Sequence, residues 1–283
     1  MKPSAWLWPG NKRIAVCFNV CLEAWSDGKA PGISPMGNPL PPGVLDNTAI
    51  SWAEYGPRRG IYRLLEGFAR HGAKASVMTN AIIAERHPDA VKAVAAAGHE
   101  IVSHSYAMDV MPVMMKEDEE RANIKRCTDL LQNVSGQTVK GWLSPRATPS
   151  ANTARLLAEA GYVWHGDTLA DDLPWVEICN GKKIVAIPLS TDVNDMRSMK
   201  DGAPVNAIVS TFEEQLIRLR DPAQYESGPA QVDCTVHAHI FGRPHGAYYF
   251  QRVVEMAMKS PDVWVATRLE IAQHVMGMER SNA

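Results

Sequence analysis

The 283-residue sequence has no surplus of either charge: 29 Lys and Arg stand against 31 Asp and Glu, a formal net charge of −2. Nucleic-acid binders usually carry a basic excess on at least one stretch, so no nucleic-acid partner is expected. Nor is there an unbroken apolar run of about 18 residues, the least a membrane-spanning helix needs. The opening MKPSAWLWPGNKR lacks the apolar stretch and small-residue cleavage site of an export signal, so a cytoplasmic protein without membrane contact is expected. Cysteine is scarce and scattered. Cys17, Cys21, Cys127, Cys179 and Cys234 are odd in number and form no C-x-x-C pair, which excludes a disulfide framework or a structural zinc knuckle. Internal repeats and low-complexity tracts are also missing. What is present is ordinary for a globular chain, 46% hydrophobic and 21% charged, apart from nine histidines, among them His165, His237, His239 and His245.

Alternation dominates the rest. In IYRLLEGFARHG, the residues Ile61, Leu64, Leu65 and Phe68 recur at i, i+3, i+4 and i+7, one helix face, and Gly72 stops it. The run KASVMTN follows as a strand. Helices are predicted over 81–97, 116–133, 150–160 and 244–259, with strands HEIVSHS, VKGWLSP, YVWHGD, QVDCTVHAHIFG and VWVATRL between or after them. Thr211 and Glu214 have the spacing of a capping box before Leu216 and Ile217. Strand–helix alternation implies a parallel sheet. About seven or eight such units suit a closed (β/α) barrel, with an open doubly wound sheet as the alternative. No linker divides the chain, so 1–283 reads as one α/β domain. Residues 26–54 break the rhythm with Gly28, Pro31, Gly32, Pro35, Gly37, Pro39, Pro41, Pro42 and Gly43. This long Gly/Pro-rich loop reads as a substrate cover or an oligomer contact.

Catalytic groups of parallel barrels sit at the C-terminal ends of strands. Strand one closes on Cys21-Leu22-Glu23, a later one on His104, the next on Ser144-Pro145-Arg146, then His165-Gly166-Asp167, and the strand before the last long helix carries His237 and His239. Buried strands do not end in Glu, His, Arg, Asp and His without partners for each. In one barrel these groups converge on one pocket. Of His237 and His239, one is expected to line the interior. Asp167 is a partner for Arg146, Trp142 and Trp164 are pocket wall or core, and His165 and His245 are structural. Cys21 reads first as a small buried hydrophobe.

The motifs around these residues resemble the polysaccharide deacetylase (NodB-homology) superfamily, and within it the allantoinase-like branch that includes cyclic imide hydrolases. The resemblance runs from about Arg13 to about His274. It is carried by GWLSPRATPSANTARLLAEAGYVWHGDTLADDLP, by VHAHIFGRPHGAYYF and by VWVATRLEIAQH. It implies an irregular (β/α) barrel, a small-molecule substrate and a homodimer or homotetramer. By the same resemblance Glu23 matches the carboxylate of the first motif, where metal-dependent members carry two acids and this chain offers one. His104 matches the first histidine of H-x-x-x-H, whose second position is Met108. Arg146 matches the motif arginine and His237 the catalytic-acid histidine. Glu23 and His104 are then the ligands left for a divalent ion such as Zn2+, so the resemblance implies either no cofactor or one ion at an incomplete site.

Hydrolysing an amide or imide needs an activated water, a stabilised oxyanion and a proton for the leaving nitrogen. The expected catalytic set is Glu23, Arg146, His237 and Asp167, and the expected substrate contacts are Trp142, His104 and Trp164. Glu23 takes the proton of water if burial raises its pKa toward neutral. His237 protonates the leaving nitrogen, and Arg146 or His104 steadies the oxyanion. The expected activity is opening of a small cyclic amide, imide or ureide. The alternatives are a metal-dependent N-deacetylase of an acetylated sugar and a non-catalytic binding barrel.

Overall fold

The computed structural model describes residues 6–30, 40–41, 44–221, 223 and 228–281. Its centre is β1 (Ile14–Leu22), nine residues with every side chain buried, as in a parallel strand covered on both faces. Alternate residues take opposite sides. Ile14, Val16, Phe18, Val20 and Leu22 join the layer between sheet and helices, while Ala15, Cys17 and Cys21 join a second, interior cluster. The odd-numbered row of β1 therefore faces the inside of the sheet, and Glu23 continues it.

The strands that follow are β2 (Ser76–Thr79), β3 (Glu100–Ser103), β4 (Gly141–Trp142), β5 (Trp164–His165), β6 (Trp175–Cys179), β7 (Lys182–Ala186), β8 (Val193–Asn194), β9 (Ala230–His237) and β10 (Val263–Ala266). They form one ten-stranded sheet in the order β6-β7-β5-β4-β3-β2-β1-β9-β8, with β10 beside β1. One edge of β1 is shared: β10 pairs with Ile14–Cys17 and β2 with Asn19–Leu22, while β9 runs along the other edge from Ile14 to Cys21. All pairings are parallel except β6 with β7. That pair exceeds the seven or eight strands expected. Asn180 (φ 49°) and Gly181 (φ 73°) join it, a two-residue turn whose left-handed backbone matches strand twist. The architecture is the expected α/β, mostly parallel, irregular (β/α) barrel.

Helix α1 (Asn47–Tyr55) is capped by Asp46, whose Oδ1 accepts from Ala49 N at 2.9 Å. The end of the expected 26–54 loop is thus helical; 31–39 and 42–43 lie outside the described residues. One wide turn at 56–60 leads into α2 (Ile61–His71), which buries Ile61, Leu64, Leu65 and Phe68 and ends at Gly72 with φ 68°. The single helix expected over 81–97 is two, α3 (Ile82–Arg86) and α4 (Pro88–Ala96). His87 precedes a proline, which disfavours helical backbone, and it takes φ −137°. Next come α5 (Glu117–Ser135), α6 (Thr153–Glu159), α7 (Met196–Lys200), α8 (Ala207–Arg220), α9 (Pro244–Lys259) and α10 (Arg268–Ser281). Helix α8 starts four residues before Thr211, so the expected capping box does not cap it. Starting earlier buries Ile208 and Val209 on the same face as Phe212, Leu216 and Leu219.

The lower interior is closed by a buried ion pair, Arg268 with Asp233. Arg268 also donates to Asn19 Oδ1 (2.9 Å) and to the carbonyl of Ile187 (3.0 Å). A buried charge survives only with such partners. The upper end of the barrel is left to the strand termini.

Candidate active site

Glu23 follows β1, His237 ends the adjacent β9, and His104 follows β3, which lies one strand away beyond β2, so the strand ends deliver all three to one place. Glu23 Oε1 lies 3.6 Å from His104 Nε2 and 3.5 Å from His237 Nε2. All three are buried. Both rings are held from behind. His104 Nδ1 donates to the carbonyl of Leu143 at 2.6 Å. His237 Nδ1 donates to Asp195 Oδ1 at 2.6 Å, and its backbone N–H donates to Asp195 Oδ2 at 2.7 Å. Each imidazole therefore turns Nε2 toward the Glu23 carboxylate. Asn80 fastens the strand ends together: its Oδ1 accepts from Ala24 N at 3.0 Å and its amide donates to the carbonyl of His104.

The electrostatics reverse the expectation for Glu23. Burial pushes its pKa up, but the charge on His237 and the His104 and His239 rings beside it win, and the carboxyl is lowered to about 2. It is an anion at any physiological pH and a weak base. Burial alone would lower His237; Cys21, Asp195 and Glu23 around it outweigh that and hold it well above an ordinary histidine. The resting site is a buried ion pair with its proton stored on His237.

Sequence reasoning missed Asp195, which sits before the short helix α7 in no motif. The only signal available was an acid in a loop between two short elements. It also misjudged His239. Residues two apart on a strand share a face, and β9 stops at His237, so the following turn keeps both rings together, with centroids 5.8 Å apart. That turn is fixed by backbone packing. A Cβ on Gly60 would fall 1.9 Å from the carbonyl oxygen of Ala238, and one on Gly242 would fall 2.1 Å from the same atom. Only glycine at both positions lets the wide turn between α1 and α2 touch the histidine loop.

The other sequence candidates are placed differently. Asp167 accepts from Ser144 N and Ser144 Oγ, both at 2.7 Å, rather than pairing with Arg146. Its pKa is raised by burial against those bonds and against His165 and His104. It anchors the turn whose neighbour, Leu143, orients His104. Arg146 is exposed, and its backbone is left-handed (φ 57°), like that of the half-buried Ala147 after it (φ 50°). Trp142 and Trp164 are completely buried, their indoles donating to Ser144 Oγ (3.0 Å) and Glu100 Oε1 (2.8 Å). They are core, and each indole N–H is already taken by its partner. His165 faces Glu177 Oε2 at 3.3 Å, and His245 is exposed against Tyr249.

The divalent ion implied by the resemblance needs a third ligand from position 108. Met108 is buried with Trp25 and Ala53 in one apolar cluster, and a thioether is a poor ligand for a hard or borderline ion. The set does not fit that ion. Among the described residues, the donors that do approach one another are Cys21, Glu23 and His237, within 4.8 Å, where His237 Nε2 faces Glu23 Oε1 at 3.5 Å. Burial raises the Cys21 thiol, with His237 pulling it back.

Comparison with known proteins agrees with this fold. A family model described as polysaccharide deacetylase matches residues 49–165. A crystal structure from Pseudomonas aeruginosa PAO1, titled a probable polysaccharide deacetylase, superposes with TM-score 0.85 at 30% identity, over 94% of this chain and 92% of that one. The crystal structure of PuuE allantoinase gives 0.84 at 30% identity, over 95% and 92%. A Schizosaccharomyces pombe protein, provisionally named a polysaccharide deacetylase, is 26% identical over 94% of this chain and 91% of its own length. Among the described residues no helix is long and apolar enough to cross a membrane. The chain belongs to the polysaccharide deacetylase (NodB-homology) superfamily, on its allantoinase-like side, and is a hydrolase of carbon–nitrogen bonds other than peptide bonds.

Proposed function

We propose that the chain opens a small cyclic amide, imide or ureide by acid–base attack of water, without a metal ion. The observation that carries the reading is the line Asp195–His237–Glu23–His104. A proton is already stored on His237, and two imidazoles share one carboxylate. Water adds to the ring carbonyl and passes its proton to Nε2 of His104, the nitrogen left open because Nδ1–H is bound to Leu143. The tetrahedral intermediate collapses, the C–N bond breaks, and the leaving nitrogen takes the proton from Nε2 of His237. Glu23, too weak a base to keep a proton, passes one from His104 to His237 and resets the pair. Glu23 thus orients and relays, a different role from the general base expected of it. Arg146, three residues beyond Leu143 and exposed, is the guanidinium left to meet a substrate from the rim.

The match to an allantoinase over nearly the whole chain supports a cyclic ureide or a close relative as substrate. An imide or strained ring amide expels its nitrogen more readily than an acetamide, so it needs less help from a Lewis acid. Met108 in place of a ligand points the same way. The test is a panel of allantoin, hydantoin, succinimide and a chito-oligosaccharide, run beside elemental analysis of the purified protein. Ring opening of a cyclic member by protein free of metal is the expected result. Deacetylation of the oligosaccharide alone, dependent on added zinc, would overturn it.

A further inference from the structure

Beside the ion pair lie two nitrogens that the mechanism does not use. Trp25 Nε1 and His239 Nδ1 are shut off from solvent, and neither has a hydrogen-bond partner among the described residues. Trp25 is 7% exposed and His239 2%. Buried polar atoms are almost always paired, and each exception needs a reason. These two belong to rings in contact: Trp25 and His239 meet edge to face with centroids 5.9 Å apart, and Trp52 packs on His239 at 4.4 Å. Trp25 is two residues past Glu23, and His239 is two past His237. Met108 and Ala53 complete an apolar wall around Trp25. Burial holds the His239 ring neutral, with its pKa down to about 3 despite Glu23. An indole N–H can only donate, whereas a neutral imidazole nitrogen can accept.

We infer that Trp25 and His239 read the amide edge of the substrate, Trp25 donating to its carbonyl oxygen and His239 Nδ1 accepting from its ring N–H. The inference rests on the function proposed above and narrows its substrate class. In a five- or six-membered ring the amide is forced cis, so C=O and N–H point to the same side. An open-chain N-acetyl amide is trans and sends them in opposite directions. A donor and an acceptor on adjoining rings match the first arrangement and leave one nitrogen unpaired with the second. A site whose own polar groups go unpaired with the wrong ligand discriminates strongly against it. Met108, where the resemblance implies a metal histidine, is here part of the apolar surround that keeps both nitrogens dry.

The test compares succinimide with N-methylsuccinimide, which lacks the ring N–H, by calorimetric binding and by turnover, in the whole protein. Wild type is expected to bind succinimide roughly tenfold more tightly or better, the usual loss for one unmade hydrogen bond. His239→Leu should abolish that preference. His239→Asn, whose side-chain oxygen can stand near the Nδ1 position, should restore part of it. Trp25→Phe should weaken both ligands and leave their ratio unchanged. Equal binding of the two compounds by wild type, or an unchanged ratio in His239→Leu, would overturn the assignment. Discriminating binding without ring opening would retire the proposed activity and leave the recognition edge standing. Binding of chito-oligosaccharide and of neither imide would remove both.

Discussion

Replacing Asp195 by Asn tests the stored proton directly. Asp195 is 1% exposed and accepts two bonds from one residue, at 2.6 Å from Nδ1 and 2.7 Å from the backbone N–H of His237. Asparagine keeps the shape and one acceptor but removes the charge, and it presents an amide N–H to one of those donors. A hydrogen bond to a charged group contributes about 1.5–3 kcal/mol. At about 1.36 kcal/mol per decade this is a roughly 10- to 100-fold fall in kcat/KM, largest on the alkaline side, where His237 loses its proton earlier. Stability should fall by about 3–5 kcal/mol, the usual effect of taking one partner from a buried ion pair. The sign of the pH dependence follows from His237 being raised on folding. Its contribution is complete below the unfolded value of about 6.5 and is lost as pH rises through the higher folded value. Urea denaturation from about pH 6 to about pH 9 should therefore show wild-type stability declining with pH and Asp195→Asn declining less. Parallel stability slopes, together with an unmoved alkaline limb of the pH–rate profile, would refute the idea that Asp195 holds the proton on His237.

Other outcomes follow from the same geometry. Gly60→Ala should cost at least about 2 kcal/mol and most activity, because its Cβ has no room beside the Ala238 carbonyl; the denaturant midpoint and kcat report it. Arg146→Gly should gain about 1 kcal/mol in thermal or urea unfolding by relieving left-handed backbone, while kcat/KM falls through loss of the guanidinium at the rim. Exhaustive chelation, followed by dialysis, should leave ring opening within about twofold of the untreated rate if Met108 truly breaks the ligand set; loss of activity restored by zinc would show otherwise. Trp142→Phe should lower stability by about 1–3 kcal/mol through the lost bond to Ser144 and leave KM unchanged, since the ring is core; a KM effect without destabilisation would return it to the substrate site.

Much of the fold was legible because its signals are local. The apolar face of α2 and the stop at Gly72 need only a helical period and a residue that tolerates positive φ. The strand ends carrying Glu23, His104 and His237 could be read from where each apolar run closes. The β6–β7 hairpin was legible too, in Asn180-Gly181, but strand–helix alternation hides an antiparallel pair. What could not be read depends on distance in space. Asp195 reaches His237 across 42 residues of chain, with no motif to mark it. The fates of Asp167, Trp142 and Trp164 turn on Ser144 and Glu100, partners that only packing brings near. The pKa of Glu23 was misjudged for the same reason. A carboxyl buried alone rises, and one buried between imidazoles falls.

That reversal bears on which substrates the site suits. A raised carboxyl would make a strong base and a nucleophilic water, able to attack a sluggish acetamide carbonyl. This site has instead a carboxylate held near pKa 2 and an imidazolium held above its usual range. Its stored asset is an acid. Such a pair does little to force attack on an unactivated carbonyl but much to secure departure of nitrogen once attack has occurred. A carbonyl that is already electrophilic, through a second acyl or urea group on the same nitrogen or through ring strain, supplies what the site lacks. The same ring sets the amide cis, the geometry that the recognition edge proposed for Trp25 and His239 requires. The proposed acid and the proposed recognition edge involve different atoms, and on that reading both favour a small ring carrying an acylated nitrogen over an open-chain N-acetyl group.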